Sequence, residues 1–351
     1  SPLMNSTHGL PDVIEDESQL EELLITPSAE LIEWAATLSG SLVILGAGGK
    51  MGPTLAARAQ RAIDQAGAAA QVVAVSRFSD PVARDWLDQR GVKTVAADLL
   101  SQDALDELPD TDTVIYLVGS KFGTRQNPSH TWAVNTIAPA CAMRRYPQST
   151  FVALSTGNVY PFTPTDQGGS RESDPLEPVG EYAYAAVGRE RIFDHFSRVH
   201  GTPVAMIRLN YATDLRYGVL TDLALKVFRG ETIDVTQGYF NCIWQGDAND
   251  LILRAVPLAQ SPPRPINLTS LETFSVREVA QTFGRLMNRD VRFSGQESET
   301  ALLSNASQCA ERLGAPPTPM ERVIQWTAHW VRQDAPLLGK PTHFEVRDGA
   351  F

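Results

Sequence analysis

Ser41-Leu42-Val43-Ile44-Leu45-Gly46-Ala47-Gly48-Gly49-Lys50-Met51-Gly52-Pro53 is the stretch on which the fold of this chain turns. Its first five residues form an apolar run suited to a strand buried on both faces. Glycines then stand at 46, 48, 49 and 52, and a helical pattern follows over residues 55–66. Strand, glycine-rich turn and helix in this order make a phosphate cradle. Glycine admits tight angles and close backbone approach, and the helix N-terminus supplies the positive end of a dipole. Gly46, Gly48, Gly49, Lys50, Met51 and Gly52 are therefore predicted to hold the diphosphate of a dinucleotide.

Downstream the pattern repeats. Apolar runs at 72–75, 94–96, 114–118, 151–154 and 204–207 alternate with helical stretches at 81–90 and 131–143. Such alternation predicts an α/β fold: a doubly wound parallel sheet of Rossmann type over residues 41–208, with ligands at the carboxyl ends of the strands. Upstream, residues 1–40 read as an acidic helical extension, with one helix around 15–24 and another begun by a hydroxyl cap in Thr26-Pro27-Ser28. After Arg208 the character changes. Residues 209–333, with helices over 275–287 and 320–331, are predicted to form a smaller helix-rich C-terminal substrate lobe from which some chain returns to the sheet, and residues 334–351 a tail.

Bulk properties narrow the function. A net charge of -11 over 351 residues, with no basic stripe, argues against a nucleic-acid partner. No apolar run approaches the roughly 20 residues needed to span a bilayer, and the first residues lack a basic stretch ahead of an apolar one. Cys141, Cys242 and Cys309 lie far apart with no ligand spacing, which favours a reducing, cytoplasmic compartment. The histidines are scattered too, so no metal is assigned. Ser155 lacks a G-x-S-x-G turn, against a serine hydrolase.

The end of the second strand chooses the dinucleotide. An acidic residue there holds a ribose 2′-hydroxyl, whereas a cation suits a 2′-phosphate. Ser76-Arg77, with Lys50 in the turn, favours NADP over NAD. Asp98-Leu99, past the third strand, is placed to meet the adenine, and Val118-Gly119-Ser120-Lys121 lies at the mouth of the same crevice.

Taken together, these features resemble the extended short-chain dehydrogenase/reductases, the family of NAD(P)-dependent sugar-nucleotide epimerases and dehydratases, over roughly residues 40–332. Gly46, Gly49 and Gly52 match its GxxGxxG turn. Trp132-Ala133-Val134-Asn135 looks like its Asn-bearing helix, and Leu154-Ser155-Thr156-Gly157-Asn158-Val159-Tyr160 like its Ser/Thr strand end. Arg208-Leu209-Asn210 and Gly246-Asp247-Ala248 are similar to two later family segments. The family also carries Tyr-x-x-x-Lys with a Glu one turn further on. Tyr182 and Glu190 fit, but the Lys position is Ala186.

The resemblance implies Tyr182 as acid/base toward a sugar-like alcohol or carbonyl, Thr156 orienting the reacting oxygen, and a homodimer formed through two helices, one carrying Tyr182. A cation near the phenol, whose ordinary pKa is about 10, is needed to stabilise its anion, and Lys121 is the expected replacement for the absent Lys. Ser120, Asn158, Arg208, Asn210, Tyr217 and Trp244 fall on the expected substrate side. Two other readings stay open: a cofactor-binding regulator that lost turnover, supported by Ala186, and an isomerase or lyase that recycles a tightly held cofactor.

Overall fold

The computed structural model describes residues 9–119 and 126–338. Seven strands form one sheet: β1 (Gly40–Leu45), β2 (Ala70–Ser76), β3 (Lys93–Ala96), β4 (Thr113–Tyr116), β5 (Thr150–Thr156), β6 (Val204–Leu209) and β7 (Arg264–Leu268). Their order is β7-β6-β5-β4-β1-β2-β3 and every pairing is parallel. The progression reverses between β1 and β4, which opens a crevice at the carboxyl edge. β7 is the chain that returns from beyond residue 209.

Parallel strands are buried on both faces, and alternate residues of β1 serve two cores. Leu42 and Ile44 pack with Leu55, Ala59 and Leu251, while Val43 and Leu45 pack with Val73, Phe151 and Phe193. On the first side lie α1 (Glu17–Ile25), α2 (Ala29–Ala35), α3 (Gly52–Ala66) and, further along the chain, a helix from the C-terminal part. α4 (Pro81–Gln89), α5 (Gln102–Asp106), α6 (Pro128–Arg145) and α7 (Glu181–His200) complete the first seven helices. Beyond β6 follow α8 (Val219–Phe228), α9 (Gln245–Arg254), α10 (Val276–Met287), α11 (Ser307–Leu313) and α12 (Met320–Arg332). α8, α10 and α12 enclose a separate apolar core that includes Leu223, Phe283 and Trp326. No helix among the described residues is long and apolar enough to cross a membrane.

The N-terminal helices are more than an appendage. Leu20 and Leu24 enter the core of the C-terminal lobe, whereas Leu31 and Ala35 enter the core under the sheet. Ser28 caps α2 by accepting from the Leu31 amide at 3.1 Å, and its hydroxyl donates to Asp250 at 2.6 Å. Asp250 also pairs with Arg58 of α3 at 2.8 Å, and Arg58 Nε donates to the Leu24 carbonyl. One buried ion pair thereby joins α1, α2, α3 and α9.

Asp247, on the same helix as Asp250, receives the Thr318 amide and hydroxyl at 2.9 and 2.8 Å. Burial pushes its carboxyl up to about 6 against an ordinary 3.8, despite the opposing pull of Thr318 and Arg58. The fold thus favours the protonated form, and stability is lost as pH rises from 3.8 through 6. Asp247→Asn cannot ionise. Its stability relative to wild type, measured by urea denaturation at several pH values, is expected to rise by roughly 2–3 kcal/mol between pH 4 and 7. A pH-independent difference would contradict the assignment.

Candidate active site

The turn after β1 is shaped by contacts that only glycine permits. Gly46 has φ +86°, and a Cβ there would lie 2.7 Å from the Val118 amide nitrogen. The Gly46 and Ala47 amides both donate to the Val75 carbonyl, at 2.8 and 3.0 Å, which bends the chain off the strand. At Gly52 a Cβ would sit 2.5 Å from the carbonyl of Ala47, so the first turn of α3 rests directly on the loop. Gly48 lies against the Ser76 hydroxyl. Gly49 is different: a Cβ there would meet nothing nearer than the Gly46 oxygen at 4.0 Å. The N-cap of α3, Met51, makes no side-chain capping bond, and the opening between turn and lobe is space that a diphosphate can fill.

That opening leads into a cavity of about 430 Å³. The turn contributes Gly46, Gly49, Lys50, Met51 and Gly52 to one wall. Gly119, past β4, and Leu154, Ser155 and Thr156 of β5 form the floor, and α7 supplies Tyr182 and Arg189. From the lobe come Asn210, Tyr211, Tyr217 and Gln245. The Lys50 ammonium stands 3.1 Å from the centroid of the Tyr217 ring, so a cation–π contact joins turn to lobe across the cavity. Burial and the nearby Asp222 push the Tyr217 phenol up, keeping it neutral.

Thr156 is oriented by its own strand end. Its Oγ1 accepts from the Asn158 amide at 3.1 Å, capping a single 3₁₀ turn, and its hydroxyl proton has no acceptor among the described residues. Ser155 is already engaged, donating to Glu190 at 2.6 Å. Tyr182 reaches the cavity from the first turn of α7, only 7% exposed.

Two residues expected on the substrate side do not line the cavity. Arg208 is held by Glu190, with Nη2 2.8 Å from Oε1, and donates to the Tyr160 hydroxyl at 2.8 Å, which in turn donates to Asn267 at 2.7 Å. Burial pushes Tyr160 up to about 12, so it serves this chain as a neutral link. A carboxylate 18 residues earlier on the chain thus turns Arg208 inward. Trp244 packs edge-on against Trp326 at 5.3 Å in the lobe core. Both side chains are buried among these partners.

Ser76, Arg77, Asp98, Leu99 and Val118 lie outside the cavity lining. Arg77 and Asp98 are exposed, at or beyond the ends of β2 and β3, while Leu99 is buried in the core that holds Val43 and Leu45 and Val118 packs against that core. Ser120 and Lys121 lie outside the described residues. Ala186 is fully buried beside Val159 and Tyr160. The sequence reading missed Arg189. Its signal was its place seven residues after Tyr182, two helical turns along the same stripe. Asn135, on the helix that resembles the family's Asn-bearing one, accepts from this guanidinium with its side-chain oxygen. Among the described residues no cluster of His, Cys, Asp and Glu could hold a metal ion.

The sequence of residues 42–212 fits the model of the NAD dependent epimerase/dehydratase family. Over that span, just under half of the chain, the sequence is similar to this family. The glycine turn, Thr156 and Tyr182 all fall within the matched residues. The fold is shared with UDP-glucose 4-epimerase of Thermotoga maritima at TM-score 0.66 and 15% identity, covering 84% of this chain and 99% of that one. It is shared with dTDP-glucose 4,6-dehydratase of Bacillus anthracis, solved with NAD, at 0.69 and 14%, covering 85% and 97%. The dTDP-glucose 4,6-dehydratase DesIV of Streptomyces venezuelae, also with NAD, gives 0.69 and 17%, covering 84% and 97%. At these identities the likeness is one of fold. No protein of curated function matches the sequence.

The glycines separate packing from binding. Gly52→Ala forces a methyl into the Ala47 backbone and is expected to destabilise the chain by about 1–3 kcal/mol. Gly49→Ala should leave stability within about 0.5 kcal/mol while weakening dinucleotide binding, because its methyl enters the ligand space. Thermal melts and calorimetric titration of both variants check this. Unchanged binding in Gly49→Ala would contradict the placement of the diphosphate.

Proposed function

We propose that this chain is an NAD(P)-dependent enzyme that converts a sugar nucleotide, acting on an alcohol or carbonyl of the sugar. The observation that carries the reading is one cavity lined by the Gly46–Gly52 turn, by Thr156, whose hydroxyl proton has no acceptor among the described residues, and by Tyr182. The turn and the N-terminus of α3 fit a diphosphate, and the bound dinucleotide supplies the hydride acceptor or donor. Tyr182 takes the proton from the sugar hydroxyl as that carbon is oxidised and returns it on reduction. Thr156 donates a hydrogen bond to the same oxygen and fixes its position between strand end and helix. Asn210, Tyr211 and Gln245 face the substrate from the lobe.

The names of the similar structures, UDP-glucose 4-epimerase and dTDP-glucose 4,6-dehydratase, support a nucleoside diphosphate sugar as substrate and recycling of the hydride within one turnover. Arg77, exposed at the end of β2, supports NADP over NAD. Trp132 and Ile137 of α6 and Tyr184 of α7 are exposed apolar side chains on neighbouring helices, and they support a homodimer through that face. The three free, buried thiols suit the cytoplasm. Ala186 favours a second reading, a dinucleotide-binding regulator without turnover.

Tyr182→Phe removes the proton carrier and little volume. On a panel of UDP- and dTDP-linked hexoses its turnover should fall by roughly 10²–10⁴, with dinucleotide affinity retained. A wild-type chain that binds the dinucleotide yet converts none of the panel would favour the regulator.

A further inference from the structure

Arg189 is a buried charge without a counter-charge among the described residues. The residue is 3% exposed, and among the described residues its guanidinium is held by neutral oxygens. Nε and Nη2 donate to Asn135 Oδ1 at 2.9 and 2.5 Å, and Nη1 donates to the Leu154 carbonyl at 2.6 Å. No carboxylate lies within ion-pair distance among the described residues. The other deeply buried arginines differ: Arg58 pairs with Asp250 and Arg208 with Glu190, each at 2.8 Å. A guanidinium cannot shed its proton, so desolvation without a partner is unfavourable unless something else meets the charge.

The side chain lines the cavity. Nη2 lies 3.0 Å from where a Cβ at residue 119 would stand, so the glycine past β4 leaves room for it. Of the five N–H groups of a guanidinium, the three bonds above use three. One on Nη1 and one on Nη2 have no acceptor among the described residues. The position on α7 explains the reach. Residue 189 follows Tyr182 on the same stripe at about 10 Å of helical rise, and long helical side chains lean toward the N-terminus, here back toward Tyr182. The charge thus arrives at the ends of β4 and β5, across the switch point from Gly46. A dinucleotide whose diphosphate sits on the glycine turn extends its second half over those strand ends.

We propose that Arg189 is the active-site cation of this chain, supplied two helical turns beyond Tyr182 because position 186 is alanine. Its two remaining N–H groups bind the hydroxyls of the ribose on the nicotinamide half of the dinucleotide, and Asn135 positions the guanidinium for that contact. The assignment rests on the reading above that a dinucleotide occupies the crevice. It goes further in naming the half of the ligand that this residue holds.

The test compares two ligands by calorimetry on the full chain: the dinucleotide, as NAD and NADP, and ADP, which lacks the nicotinamide riboside. Arg189→Met is expected to weaken the dinucleotide at least about tenfold, the worth of one or two charged hydrogen bonds, while ADP affinity stays within about twofold. Retained ADP binding also reports an intact fold. Arg189→Lys should recover part of the loss, and Asn135→Ala, which keeps the charge but frees it, should show a smaller loss of the same kind. Equal weakening of both ligands, no weakening of either, or a dinucleotide-selective loss in Lys121→Met with none in Arg189→Met would overturn the assignment. Failure of the wild-type chain to bind either ligand would instead remove the dinucleotide reading itself, and this assignment with it.

Discussion

The close approach of α3 to the end of β1 is the constraint from which the rest follows. Because residue 52 has no side chain, the first helical turn rests on the Ala47 carbonyl, and because Gly46 takes a positive φ the chain leaves the strand sharply enough to allow it. This brings the positive end of α3 to the carboxyl edge of the sheet, beside the reversal in strand order. A cavity at that edge with Gly49 facing open space is the outcome.

Buried charge divides the molecule into parts that hold it together and a part that faces a ligand. The Arg58–Asp250 pair fastens the N-terminal helices to the back of α3 and to α9. The Glu190–Arg208 pair, extended through Ser155, Tyr160 and Asn267, ties β5, α7 and β6 to β7. Both are closed, with each charge met by an opposite one, and removing either partner leaves an uncompensated charge in the interior. Arg189 has only neutral partners among the described residues, and it is the one of these arginines that lines the cavity.

Much of this was legible in the sequence because it is written locally. The apolar run, the glycine spacing and the hydroxyl cap at Ser28 are short-range signals, and the parallel sheet with ligands at its carboxyl edge follows from them. The strand expected over 114–118 ends at Tyr116, and beyond it Leu117 lines the cavity while Val118 packs against the core that holds Val43 and Leu45. What escaped reading depends on distant partners. Arg208 looked free until Glu190 and Tyr160 closed around it, Trp244 until Trp326 covered it, and Arg189 drew no notice because its role depends on Asn135, 54 residues away. Likewise, an acidic extension gave no hint that Leu20 and Leu24 would complete the core of a lobe some 200 residues further on.

The most direct measurement is hydrogen–deuterium exchange at the amides of residues 46–52, with and without saturating NAD or NADP. Main-chain donors that grip a diphosphate should exchange markedly more slowly with one of these ligands present, and the protection should centre on this turn. Exchange there that does not change while the dinucleotide is bound, or protection confined to another part of the chain, would contradict the account.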